Sequence, residues 1–92
     1  MKEKEIERIL KALANKRRLA IIKYLRNNRR ASVGDIAEAI KLSFKATSKH
    51  LVILDHVDLV EKEQVGLTVI YFLSKEGRSV VGTLLSLFTS FK

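Results

Sequence analysis

The side chains with most chemistry to offer fall within residues 42–54. Phe44, Lys45, Ser48, Lys49 and Val52 lie on one side of a helical wheel, and Thr47, Leu51 and Leu54 lie on the other. The two ammonium groups can donate to phosphate oxygens or to the O6/N7 edge of guanine. The Ser48 hydroxyl can bond either, and the Phe44 ring can meet a thymine methyl. Ser43, just ahead, is a good N-cap, and the free amides of that helix end, with the helix dipole, can seat a phosphate. Ala46 and His50 belong to the same turns. This is chemistry for reading double-stranded DNA rather than for making bonds. The sequence holds no nucleophile–base pair, no phosphate-cradling glycine loop and no metal cluster, so an enzyme is the least expected class.

The charge has the same centre. Residues 11–50 contain eleven Lys or Arg against Asp35 and Glu38, whereas residues 1–10 are neutral and residues 51–92 are slightly acidic. A basic half of this kind implies a polyanionic partner, either nucleic acid or an anionic membrane surface. The longest mostly apolar run, 80–91, is too short to span a bilayer and is interrupted by Gly82, Thr83, Ser86, Thr89 and Ser90. With no secretory leader visible at the start, a soluble cytoplasmic protein is expected. The absence of cysteine excludes disulfides, thiolate metal sites and thiol redox sensing. His50 and His56, six apart, would point about 120° from one another on a helix, unlike a chelating i,i+4 pair. Neither a metal nor another cofactor is expected.

These groups need a scaffold, and 92 residues suffice for a single domain over 1–92. Ile6, Ile9, Leu10 and Leu13 predict an amphipathic helix over 3–14. Asn15 then caps a second helix with Leu19, Ile21, Ile22 and Leu25 as its apolar set. Residues 31–33 allow a stub of strand. Ser32 and Asp35 fit a capping box opening a third helix, with Ile36, Ala37 and Ile40 inward. Only Lys41 and Leu42 separate that helix from the Ser43 cap of the fourth, the spacing of a helix–turn–helix. Residues 59–63 and 68–73 read as strands flanking Gln64-Val65-Gly66-Leu67, a hairpin with Gly66 at the turn. Ser74 caps a last helix. The fold class is mainly α with a small β-hairpin, in the order α-α-(β)-α-α-β-β-α.

The run Leu42-Ser43-Phe44-Lys45-Ala46-Thr47-Ser48-Lys49-His50-Leu51-Val52-Ile53-Leu54 resembles the recognition helix of ArsR-type repressors, L-S-x-x-x-x-S-x-H-L-x-x-L. Leu10-Lys11-Ala12-Leu13-Ala14 with Arg18-Leu19 resembles their L-K-A-L-A-D-P-x-R-L opening, and Leu59-Val60, Gly66 and Tyr71 sit where their wing has L-V, G and Y. The resemblance implies a winged helix–turn–helix homodimer that represses transcription by occupying a palindromic operator. It places His50 at a DNA-side or packing position, and Lys62 and Gln64 on a DNA-contacting wing. Several positions depart from the pattern. Asn15-Lys16 replaces Asp-Pro, loosening the start of helix two. Lys41 and Asp58 stand where glycine is usual, at about 1 kcal/mol each for a left-handed backbone. Leu67 replaces an Arg, and Glu61 and Glu63 flank Lys62, which is expected to weaken the wing. The metal-sensing sites of such proteins would fall at Ala31-Ser32-Val33-Gly34 and at 79–92, which offer no soft, imidazole or carboxylate ligand.

The last helix is more apolar than one core requires. Val80, Leu84, Leu87 and Phe91 form a stripe that Val81, Leu85 and Phe88 widen, and helix one adds Ile6, Leu10 and Leu13. ArsR-type proteins dimerise through these two helices. Two other classes stay open: an architectural DNA-binding protein with little sequence preference, and a protein-docking winged helix using Ile70 and Phe72.

Overall fold

In the computed structural model, which describes residues 2–88, α1 (Glu3–Leu13) and α2 (Lys16–Asn28) lead into β1 (Arg30–Ser32), then α3 (Val33–Ile40) and α4 (Phe44–His56). The hairpin β2 (Val60–Val65) and β3 (Thr68–Leu73) follows, and α5 (Lys75–Phe88) closes the described chain. The expected order is reproduced. β1 begins one residue earlier than predicted and is a true edge strand, pairing antiparallel with β3 from Arg30 opposite Phe72 to Ser32 opposite Ile70. The sheet order is therefore β1-β3-β2 rather than a bare hairpin.

Side-chain caps set most of the helix starts. Asn15 Oδ1 accepts from the amides of Arg17 and Arg18 at 2.9 and 3.1 Å, so a side chain closes the start of α2 where the family pattern has proline. Ser32 Oγ accepts from the Asp35 amide and Ser43 Oγ from the Ala46 amide. Only the hydroxyl half of the expected Ser32–Asp35 box forms among the described residues. Ser74 Oγ accepts from the Gly77 amide at 2.8 Å and donates to the Asp58 carbonyl at 2.7 Å, tying α5 to the end of α4. A Cβ at Gly77 would stand 2.0 Å from the Leu59 carbonyl oxygen, so only glycine lets these two segments approach.

The helix ends are equally specified. Leu42 N–H bonds to the Ala37 carbonyl and Lys41 N–H to that of Glu38; Leu59 and Asp58 repeat the pattern onto Leu54 and Asp55. Both are Schellman motifs. Lys41 (φ 56°) and Asp58 (φ 59°) occupy their left-handed positions, as the departures from glycine predict. The β2–β3 turn is tighter than the expected four-residue loop. Val65 pairs with Thr68, leaving Gly66 and Leu67 between them, with positive φ at Gly66 alone, as in a type II′ turn.

The core surrounds α2. Ile21, Ile22 and Leu25 pack with Ile36, Leu51, Leu54, Leu59, Val60, Tyr71, Leu73 and Val81, all nearly or fully buried. Two expectations change. Leu13, read as a dimerisation residue, is buried in this core with Ile9, while Leu19, read as core, is exposed. On α1 the buried set is Ile9, Ala12 and Leu13, and Ile6 and Leu10 flank that stripe on its exposed edge.

One polar relay fixes α4 against α2. The Arg18 guanidinium donates from Nε to the Ala12 carbonyl, and its Nη1 lies 3.2 Å from His50 Nδ1. Arginine has no acceptor, so Nδ1 must accept and the imidazole must be neutral with its proton on Nε2. Burial, and then the charges of Arg18 and Arg17, push the His50 pKa below its ordinary 6.5.

Two measurements test this reading of the packing. Thr47 is fully buried in α4 and its hydroxyl has no hydrogen-bond partner among the described residues. Thr47→Val keeps the shape and removes the unsatisfied group, so it should stabilise the fold by about 1 kcal/mol in urea denaturation; destabilisation would show that the hydroxyl is satisfied. A lowered pKa also means that the unfolded chain takes up the His50 proton first on acidification. The stability due to neutral His50 is thus complete above pH 6.5 and is lost as pH falls through the lower folded value. His50→Asn retains an acceptor for Arg18 without titrating. It should lose less melting temperature than the parent between about pH 7.5 and about pH 5; equal losses would remove His50 from the linkage.

Candidate nucleic-acid interface

The outward face of α4 is the densest assembly of free donors. Phe44 is 62% exposed, Lys45, Lys49 and Val52 are exposed beside it, and Ser48 is half-buried at the edge. The ring of Phe44 therefore points to solvent rather than folding onto the core. From residue 39 to residue 54 there is no acidic side chain, and Lys41, Lys45 and Lys49 enter no ion pair among the described residues. Ser43, exposed at the tip, satisfies the Ala46 amide; the amides of Phe44 and Lys45 have no acceptor among the described residues. Ala46 is half-buried behind them. His50, the remaining candidate on this helix, is turned toward Arg18 and holds the helix rather than facing out with the lysines.

The wing differs from its sequence reading. Strand side chains alternate, so Lys62 and Gln64 share a face with buried Val60 and Tyr71, while Glu61 and Glu63 occupy the reverse. Glu63 is taken up by Arg30, whose guanidinium also lies 5.4 Å from the centre of the Phe72 ring. The glutamates that flank Lys62 in sequence thus lie across the sheet from it. Lys62 and Gln64, both exposed, line a groove with Phe44, Ser48 and Val52, so α4 and the wing form one continuous surface. Gln64 Nε2 donates to the Gly66 carbonyl at 3.0 Å, which ties its side chain to the turn. Leu67 stands fully exposed at the tip.

Sequence reasoning passed over Arg17. Its charge adds to that of Arg18 in lowering the His50 pKa, and its side chain at the start of α2 is exposed. Nothing in the periodicity of α4 signals this, because the neighbour comes from another helix.

A second surface is apolar. Ile6 and Leu10 (55% exposed) line a shallow groove with Ala14 on the outer side of α1, rimmed by Glu3 and by the Glu7–Lys11 ion pair. On α5, Leu87 is 65% and Phe88 56% exposed, Leu84 is half-buried against the core, and Phe91 lies outside the described residues. Among the described residues no three His, Asp or Glu side chains gather to hold a metal ion, and no helix is long and apolar enough to cross a membrane.

Known proteins share this arrangement. The transcriptional activator HlyU of Vibrio cholerae is 42% identical over 66 residues, which cover 72% of this chain and 60% of that protein. The structure of reduced HlyU from Vibrio cholerae superposes with a TM-score of 0.81 at 36% identity, covering 92% of this chain and 90% of that one. A homodimeric winged helix–turn–helix DNA-binding domain from Mycobacterium bovis, Mb0332, superposes with a TM-score of 0.85 at 27% identity, over 91% of this chain and 78% of that one. Residues 15–62, from the cap of α2 to the first strand of the wing, match the bacterial regulatory protein, arsR family. The chain belongs to that family.

Proposed function

We propose that this protein is a sequence-specific double-stranded DNA-binding regulator of transcription, acting as a homodimer and repressing by occupying a palindromic operator. The observation that carries the reading is the exposed, acid-free face of α4, continuous with Lys62 and Gln64 of the wing. Helix α4 enters the major groove from its Ser43 end. Lys45 and Lys49 donate to phosphate or guanine, Ser48 bonds a base edge or phosphate, and Phe44 packs on a thymine methyl. The free amides of Phe44 and Lys45 meet a phosphate, and the small Ala46 lets the backbone come close. Lys62 and Gln64 add contacts from the wing. His50 contributes by orienting the helix. HlyU is named an activator, so a reporter assay with the operator in its natural position decides the direction of regulation.

The test is a binding titration against duplex DNA over a series of salt concentrations, with the operator obtained by selection from random duplexes. Lys45→Ala combined with Lys49→Ala should weaken binding more than Lys62→Ala. Each lysine lost should lower the slope of log K against log salt by about one per phosphate contact. A greater loss from Lys62→Ala would move recognition to the wing. Failure of the selection to converge would favour the architectural class.

The dimer is tested on residues exposed in the single domain, so that folding is not at issue. Leu10→Glu with Leu87→Glu places charges in the proposed seam, at a cost of several kcal/mol to association. Sedimentation should show a dimeric parent and a monomeric, folded variant with far weaker operator binding. A parent that is monomeric at tens of micromolar, or a variant that stays dimeric, would overturn this interface.

A further inference from the structure

A second cleft opens at the base of the sheet, between the end of α2 and α5, and it shares no lining residue with the groove beside α4. Arg26, Arg29, Arg30 and Arg78 line it together with half-buried Phe72, and Leu25 and Leu73 reach it but are nearly fully buried. Arg30 is already engaged by Glu63 and the Phe72 ring, and Arg78 Nη1 donates to the Leu73 carbonyl at 3.4 Å. Arg26 and Arg29 are exposed and enter no ion pair among the described residues. Arginines scattered on a convex surface would simply be hydrated. These instead rim a concavity of about 730 Å³, within the range that small-molecule sites occupy, over carbon atoms that water solvates poorly.

Gly82 adds an independent observation. It lies inside α5 and on the cleft, where glycine disfavours a helix, yet a Cβ there would meet nothing within 4 Å. No close packing among the described residues calls for it. What the glycine does is leave the cleft unfilled.

We infer that this cleft binds a small amphiphilic anion, its carboxylate or phosphate head held by Arg26 and Arg29 and its apolar body lying against Phe72 in the space that Gly82 leaves open. Planar guanidiniums match either head through paired N–H donors, and the anion relieves the mutual repulsion of Arg26, Arg29 and Arg78, which Glu63 does not neutralise. The two walls of the cleft are α2, which carries the Arg18 tie to α4, and α5, which carries exposed Leu87. An occupant that bridges them therefore biases both the recognition helix and the dimer seam. That consequence rests on the DNA-binding dimer proposed above; the binding itself does not.

Isothermal titration of the full chain with decanoate and with decyl phosphate, each below its micelle concentration, tests the site without DNA. Saturable binding of one anion per chain is expected, with the stronger of the two identifying the head group. Decanol lacks the charge and inorganic phosphate lacks the body, so each should bind at least about tenfold more weakly. Arg26→Gln with Arg29→Gln should reproduce that loss. Gly82→Leu should abolish binding by filling the cleft, while its melting temperature stays at or above the parent's because leucine is the better helix former. No saturable binding by the parent overturns the site. So does undiminished binding in both variants, or an Arg26/Arg29 change that dissociates the dimer instead, which would mean that the partner chain fills the cleft. Duplex titration with saturating anion separates the two readings. If the anion binds but no duplex does, the DNA-binding reading fails and the site stands; if duplex affinity is unmoved by a bound anion, the coupling through α2 and α5 is overturned.

Discussion

A helix that reads DNA must present one face while the other is held against rotation, because a turn of 100° per residue separates a lysine in the groove from a lysine in solvent. In α4 the apolar grip is narrow, consisting of Thr47, Leu51 and Leu54. The Arg18 guanidinium supplies the directional constraint, reaching from the Ala12 carbonyl to His50 Nδ1 and joining the end of α1, the start of α2 and the middle of α4 at one group. Asn15 feeds this arrangement, since its side chain caps the very amides of Arg17 and Arg18.

The two ends of the helix–turn–helix pair show the same economy of means with some strain. Both Schellman turns use a residue with a Cβ where glycine would be relaxed, at Lys41 and Asp58, and Arg29 at the end of α2 sits at φ 60°, ψ −59°. Each conformation costs about 1 kcal/mol or more. Lys41 and Arg29 also carry charge at positions where a glycine would carry none, and both are exposed. The backbone cost and the electrostatic gain thus fall on the same side chain.

Elements whose formation depends on neighbours in sequence were legible, and features that depend on neighbours in space were not. Asn15, Ser32, Ser43 and Ser74 announced their helices because a cap bonds to amides two or three residues away. Lys41 and Asp58 were readable as left-handed for the same local reason. Leu13 was not assigned correctly, because an amphipathic period shows that one side of α1 is buried without showing where the narrower core stripe ends and Ile6 and Leu10 begin. Glu61 and Glu63 misled for a different reason. Adjacency in sequence suggests neutralisation in a loop, but on a strand it means opposite faces, and Arg30, the residue that takes up Glu63, is 33 positions away. The Arg18–His50 contact spans 32 positions and could be found only through the fold.

The small size of the domain links its two surfaces. On the proposed reading, one copy offers Lys45, Lys49 and Lys62 with the amides at the Ser43 end, a contact set of a few phosphates whose contribution falls steeply with salt. Those charges repel one another, and a basic half-chain of this density cannot be neutralised internally without losing the face it presents. On the function proposed above, affinity comes from repeating the face rather than enlarging it. Pairing two copies makes the second binding event intramolecular, raising occupancy without any further contact on either chain. The exposed side chains of Ile6, Leu10 and Leu87 lie on the two helices that carry no part of the basic face. Association through them would leave both α4 helices free, and the spacing between the two recognition helices would then be set by α1 and α5 rather than by the helix–turn–helix itself.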